Sequence, residues 1–387
     1  MSGNGYTSPL ERRKEIGLVY PYLLLGDKDF FITKISCLHK ILKRGMIMEK
    51  VKVQEAVGMV LCHDITKIVP SEFKGRAYKK GHIISIQDIP ELLKLGKDHI
   101  YIMKPENGQI HEDEAALRLA KAGGKSGITF TEPKEGKVNL IAQYNGLLKI
   151  NQGVLREINF LDDIMFATAH NNCPVKKGEL VAGTRIIPLV INEKPLKYVE
   201  ELCAGERLVE IKPYKTHKVG IVTTGNEVFY GRIKDAFGPV LVNKLKPYGS
   251  EVIGQILAPD SKEHIQKAIK ELINQGAEII LTTGGMSVDP DDVTPAAIRE
   301  MGTNIISYGA PVLPGAMFLM GYLENTPVMG LPGCVMYGKI TVFDLILPRV
   351  LVGERITKAD FVDLGHGGLC LECKPCRYPQ CSFGKGV

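Results

Sequence analysis

Lys218-Val-Gly-Ile-Val-Thr-Thr-Gly-Asn-Glu227 is the stretch from which the fold can be read. Residues 219–224 carry no charge and are rich in β-branched side chains. This is the pattern of a strand buried on both faces, as in parallel sheets covered by helices. Gly225 then breaks the run. Downstream, a helix is expected over about 236–247, stopping at Gly249, and a strand over 251–257. Asp260-Ser-Lys-Glu263 has the form of a capping box. Ile265, Ala268, Ile269, Leu272 and Ile273 follow at helical spacing up to Gly276. A buried strand at 277–281, a helix near 293–300, a strand at 328–331 and a long helix over 335–351 continue the alternation. The fold class is therefore α/β, with a mainly parallel sheet flanked by helices. Ligands of such sheets bind beyond the carboxyl ends of the strands.

Three loops fall at that edge. Thr223-Thr-Gly-Asn-Glu227 follows the first strand and Thr282-Thr-Gly-Gly-Met-Ser-Val-Asp-Pro-Asp-Asp-Val-Thr294 the third. Gly330-Leu-Pro-Gly-Cys334 lies between the last strand and the long helix. Glycine lets backbone N–H groups approach an anion with no Cβ in the way, Thr and Ser add hydroxyls, and a following helix adds a favourable dipole. A glycine turn also arises wherever a chain must simply reverse. Three such turns at one edge point to a phosphate cradle. Asp289, Asp291 and Asp292 beside the second loop would repel a phosphate unless Mg²⁺ bridged the two. Asp292 could instead cap the helix that follows it. No Gly-x-x-x-x-Gly-Lys loop followed by Ser or Thr, His-Glu-x-x-His pair or Gly-x-Gly-x-x-Gly fingerprint is present.

Upstream, 48–108 reads as a small β-rich unit with strands in 58–66, 81–85 and 99–103. Asp88 stands as N-cap of a helix stopped by Gly96. Residues 109–214 read as a mixed α+β unit, with a helix over 112–122 and strands near 138–144, 165–169 and 184–190. The leader 1–47 shows no period, and its basic balance (eight Lys/Arg minus four Asp/Glu, +4) supplies most of the chain's net +6. Translation is expected to start at Met46 or Met48, leaving the leader untranslated or disordered.

Beyond the leader the chain is close to neutral, aromatics are 7% and Trp is absent, so no nucleic-acid platform is expected. No apolar run reaches the ~18 residues of a transmembrane helix and no secretory signal is legible, so a cytoplasmic, membrane-free protein is expected. Nine cysteines divide into five scattered ones and Cys370, Cys373, Cys376 and Cys381 in the 357–387 tail. Cys-x₂-Cys-x₂-Cys-x₄-Cys in a reducing compartment fits Zn²⁺ or an iron–sulfur cluster, and a tail this short lacks a core without the metal. A reduced, metal-free tail is the other reading.

The three loop sequences, in this order and spacing, resemble the molybdopterin-binding domain of molybdenum-cofactor biosynthesis proteins, over about 215–356. Residues 55–66 are more faintly similar to the opening of molybdopterin molybdenumtransferases. The resemblance implies insertion of molybdate into adenylylated molybdopterin with Mg²⁺, release of AMP, and a homodimer. By it Thr224, Gly225, Asn226, Glu227, Thr283, Gly284, Gly285 and Ser287 would bind the pterin phosphate. Pro332 and Gly333 would shape the far wall, and Asp289 and Asp292 would hold Mg²⁺ as the catalytic pair. Those transferases carry an Asp-Gly-Tyr-Ala motif where this chain reads Pro70-Ser-Glu-Phe-Lys-Gly-Arg-Ala-Tyr78. A molybdopterin carrier or sensor without turnover is the alternative function.

Overall fold

The structure, a computed structural model, describes residues 48–386 apart from 63, 70–72, 104–107, 135, 288 and 290–291. The leader, with the question of the start codon, and Asp291 lie outside the described residues. The chain divides into two compact units, one ending at residue 104 and one beginning at 105.

In the first unit Met48–Lys52, His99–Met103 and Val60–Leu61 form an antiparallel sheet in that order, and Ile65–Val69 pairs with Phe73–Tyr78. Val53, Leu61, Ile84, Leu92, Ile100 and Ile102 make its core. The expected strand at 81–85 is only a bridge between Val60 and Ile83. Asp88 does not cap its helix with its side chain. Its Oδ2 instead accepts from the N–H and hydroxyl of Ser85, each at 2.8 Å, and meets the His82 ring.

The second unit opens with the helix Glu112–Gly123 and antiparallel strands, among them Lys137–Ala142, Gly146–Ile150, Ile164–Thr168, Leu180–Ile186 and Val209–Pro213. Helices Gln152–Asn159 and Glu193–Gly205, unforeseen from sequence, pack here as well. Asn151 starts the former by accepting the Val154 N–H at 3.1 Å.

Beyond them lies a six-stranded sheet. Its strands are β1 (Lys218–Thr224), β2 (Glu251–Ala258), β3 (Ile279–Thr283), β4 (Asn304–Tyr308), β5 (Leu319–Leu323) and β6 (Thr326–Leu331). The spatial order is β2-β1-β3-β6-β5-β4. The first four are parallel; β5 runs antiparallel to both β6 and β4. The helices are α1 (Asn226–Phe229), α2 (Phe237–Leu245), α3 (Lys262–Asn274), α4 (Thr294–Glu300), α5 (Cys334–Tyr337), α6 (Val342–Leu351) and α7 (Lys358–Asp363).

The uncharged strands are explained by two cores. Val219, Ile221, Ile279 and Leu281 face one side, with Leu241 of α2 and Phe343 and Ile346 of α6. Val222 and Ile280 face the other, with Ile265, Ile269 and Leu272 of α3. Gly220 belongs to this packing, because a Cβ there would stand 2.9 Å from Leu272 Cβ. The expected helix over 335–351 is two helices. Gly338 is extended (ψ 129°), and Thr341 restarts the helix through a reciprocal capping box with Asp344.

The tail has no core of its own but shares that of the domain. Phe361 and Phe383 are buried with Phe318 and Leu345, and Leu313 pairs with the tail through Leu313 N–H to Gly368 O and Cys370 N–H to Leu313 O, both 2.8 Å. The tail, expected to lack a core, is thus packed into that of the domain.

An ion network ties this end of the domain to the antiparallel strands. Glu354 meets Lys149 at 2.7 Å and Arg349 at 2.9 Å, and Arg349 meets Asp360 at 2.6 Å. Burial alone would raise the Glu354 carboxyl, but hydrogen bonds from Lys149 and Arg349 outweigh it and hold the group below its ordinary value. Glu354→Gln is expected to cost about 3 kcal/mol at neutral pH, since it leaves two part-buried cations short of a partner. A carboxyl depressed in the folded state contributes stability that is lost as pH falls through its folded value. The gap between wild type and E354Q in denaturant titrations should therefore close below the ordinary glutamate value of 4.5.

Candidate functional site

Strand register brings the loops together. Thr223 lies beside Thr283, Thr283 beside Leu331, and Thr224 beside Ala258, all in parallel pairs. The carboxyl ends of β1, β3 and β6 are thus adjacent, and Thr224, Gly225, Asn226, Glu227, Thr283, Gly284, Gly285, Ser287, Pro332 and Gly333 occupy one edge of the sheet.

The first loop is pinned from β2. Gly225 has φ 137°, and its N–H reaches Ala258 O at 3.2 Å. Asp260 Oδ2 accepts the Asn226 N–H at 2.9 Å, and the Asp260 N–H returns to Asn226 Oδ1 at 3.3 Å. Asp260 therefore belongs to the site floor and not to a capping box. Ser261 is the N-cap residue of α3, and its hydroxyl bonds Glu263 at 2.7 Å without capping the backbone. The Glu227 carboxylate folds back over Gly225, where a Cβ would lie 2.7 Å from Oε1.

The second loop rests on the first. At Gly284 (φ 85°) a Cβ would stand 2.1 Å from the Thr224 carbonyl oxygen, and at Gly285 (φ 54°) 2.8 Å from Thr294 Oγ1. Thr224 and Thr294 join their buried hydroxyls at 3.2 Å, linking the end of β1 to the start of α4. Asp292 does not cap that helix, whose N-cap residue is Val293. Its Oδ2 accepts the Ser287 N–H at 2.6 Å, and its own N–H donates to Asp289 O at 3.0 Å. Tyr308, from β4, donates its hydroxyl to Met286 O at 3.0 Å. Burial and then the Asp292 charge push its phenol upward. The spacing of the chain did not mark Tyr308 and marked Asp260 only as a helix cap, since each reaches its loop from another strand end.

In the third loop Pro332 is buried and Gly333 exposed, and the Val335 N–H closes the turn on Pro332 O at 3.0 Å. The helices behind the loops are short: α1, unforeseen from sequence, and α5, the first part of the expected long helix, have four residues each, and α4, found where expected, has seven. Few peptide dipoles align behind the cradle, so attraction for an anion must come mainly from local N–H groups and hydroxyls. Thr283 Oγ1 is buried with no hydrogen-bond partner among the described residues, a state costing about 1–3 kcal/mol unless a ligand or water satisfies it.

The tail cysteines are not gathered. Cys370 and Cys381 are half-buried against the core, while Cys373 and Cys376 are exposed. Among the described residues no group of three or more His, Cys, Asp or Glu is placed to hold a metal. Nor is any described helix long and apolar enough to cross a membrane.

Comparison with known proteins bears out the resemblance for this part of the chain. Residues 220–351 match a family described as "Probable molybdopterin binding domain", and 50–104 match one described only as a domain of unknown function. The molybdopterin molybdenumtransferase of Haemophilus influenzae is 30% identical over 192 residues, 47% of this chain and 45% of its own. That of Synechococcus elongatus is 26% identical over 164 residues, 40% of this chain and 38% of its own. The molybdopterin adenylyltransferase of Pyrococcus furiosus is 32% identical over 95 residues, 24% of this chain and 56% of its own. The chain thus spans about half the length of the curated relatives it matches.

Gly284→Ala tests the loop-on-loop contact. A methyl group at 2.1 Å from a backbone oxygen, on a residue with φ 85°, cannot be absorbed by a rotamer change. The variant is expected to lose about 1–3 kcal/mol in thermal or chemical melts. Gly333→Ala, where a Cβ meets nothing within 4 Å, is expected to melt like wild type.

Proposed function

We propose that the chain takes part in molybdenum-cofactor assembly as a molybdopterin molybdenumtransferase, inserting molybdate into adenylylated molybdopterin and releasing AMP. The single observation behind this reading is the junction of the three loops at one sheet edge, within the span that matches the molybdopterin-binding family. Residues 215–356 would be the ligand-binding domain, 48–108 and 109–214 the preceding units, and 357–387 the tail. The protein would act in the cytoplasm as a homodimer.

In this reading the backbone of Gly225, Gly284 and Gly285 approaches the ligand phosphate, with Thr224, Thr283 and Ser287 lending hydroxyls. Asn226 and Glu227 line the near side, and Pro332 and Gly333 the far side. Asp289 and Asp292 lie on one turn, joined by a backbone hydrogen bond. Magnesium is commonly held by one or two carboxylates together with substrate phosphates, so the pair fits this ion better than a closed protein cage would. Bound there, Mg²⁺ would offset the phosphate charge. The loops themselves orient the ligand and aim hydrogen-bond donors where negative charge gathers, which is most of what such group transfers require.

Incubation with adenylylated molybdopterin, Mg²⁺ and molybdate should release AMP. Ligand binding without AMP would leave a carrier, and absence of both would end the reading. Asp292→Asn keeps an oxygen for the Ser287 N–H but removes the charge. It is expected to melt within about 0.5 kcal/mol of wild type and to lose the Mg²⁺ dependence of ligand binding, followed by calorimetric titration with and without the ion.

A further inference from the structure

The first ligand loop leads into an exposed aromatic turn. Phe229, Tyr230 and Ile233 are 42%, 64% and 56% exposed, in a chain with only 7% aromatics and no Trp. Three large apolar side chains left in water within five residues mark a surface that meets a ligand or partner. The turn is fixed by its backbone. The Phe229 N–H reaches Gly225 O at 2.9 Å and the Tyr230 N–H reaches Asn226 O at 3.0 Å. The Arg232 and Ile233 N–H groups both donate to Glu227 O, at 2.9 and 3.1 Å. Each ring therefore stands one helical turn beyond a residue of the loop, and helical residues four apart share a face. Phe229 falls on the face of Gly225 and Tyr230 on that of Asn226. Two neighbours then define the Tyr230 ring. Phe229 meets it at 5.2 Å between ring centres and at 80°, an edge-to-face pair. The Arg232 guanidinium lies over it, 5.6 Å from its centre.

We propose that Tyr230 is the stacking platform for a purine base, the adenine of the ligand held by the loops, with Arg232 beside it to meet phosphate charge. The proposal rests on the reading of the loops as the site of adenylylated molybdopterin. Of the two ring systems in that ligand, adenine is the fully aromatic one, and stacking on a tyrosine requires only a flat π-face. One helical turn rises about 5.4 Å, so a ribose is enough to join a phosphate at Gly225 to a base at Tyr230. The guanidinium adds a cation at the point where ring and phosphate meet, which the short helices behind the loops do not supply.

The test uses the full chain and two probes that differ by the base, AMP and ribose 5-phosphate, in calorimetric titrations. Wild type is expected to bind AMP more tightly than ribose 5-phosphate. Tyr230→Ala is expected to weaken AMP about tenfold and to leave ribose 5-phosphate unchanged. Tyr230→Phe keeps the ring and should bind AMP like wild type. Melting curves check that the variants fold, and Tyr230→Leu, which keeps apolar bulk without a ring, replaces the alanine variant if that one does not. Equal AMP affinity in wild type and the ringless variant overturns the proposal. So does an equal loss of both probes, which would show that the residue only holds the loop. A wild type that binds AMP no better than ribose 5-phosphate, or not at all, overturns it as well. In each of these cases AMP release from adenylylated molybdopterin, measured separately, still decides the reading of the loops.

Discussion

The backbone of Gly284 lies against the carbonyl of Thr224 at a separation that admits no side chain, and the site is organised around that contact. Because β1 and β3 are parallel neighbours, their carboxyl ends emerge side by side. Loops leaving adjacent strands compete for the same space, and glycines in positive φ let both fit. The hydroxyl pair Thr224–Thr294 and the Asp292–Ser287 bond then fix the second loop relative to the first. Carboxylates and hydroxyls hold the backbone in place, so the amides of both loops are already arranged.

Beneath the loops, the sheet has a core on each face, and the two cores tolerate different things. The face covered by α3 depends on Gly220 allowing Leu272 to approach. The opposite face extends through α6 and α7 to Phe383, so the tail shares the core that supports the loops. Lys149, Arg349, Glu354 and Asp360 close the far end of this layer, where α6 meets the antiparallel strands. A cysteine-rich tail that looked too small to fold is ordered by borrowing apolar surface.

Much of the fold was legible because the apolar periods were strong. The uncharged run before Gly225 and the i, i+3, i+4 spacing from Ile265 leave little choice of element, and both elements are where the sequence placed them. Strands β4 and β5 were missed, since Asn304–Tyr308 and Leu319–Leu323 are short and flank a long loop with no period of its own. The break at Gly338 was missed because Val335 and the residues from Val342 onward are apolar on either side of it. Asp260 was misread for a related reason. A local motif suggested a helix cap, but the competing acceptor role, toward the Asn226 N–H, comes from a residue 34 positions away.

By itself the sequence determined the four parallel strands β1, β2, β3 and β6, which glycines turn them, and which residues have the chemistry to meet a phosphate. These depend on local sterics and on the alternation of apolar side chains, and both are written along the chain. Only the tertiary structure decided that Asp260 and Tyr308 hold the loops, that the tail is packed, and that Cys370 and Cys381 lie against the core while Cys373 and Cys376 are exposed. Those outcomes depend on which strand lies beside which and on what surface each helix leaves uncovered, quantities that come into being only when distant parts of the chain meet.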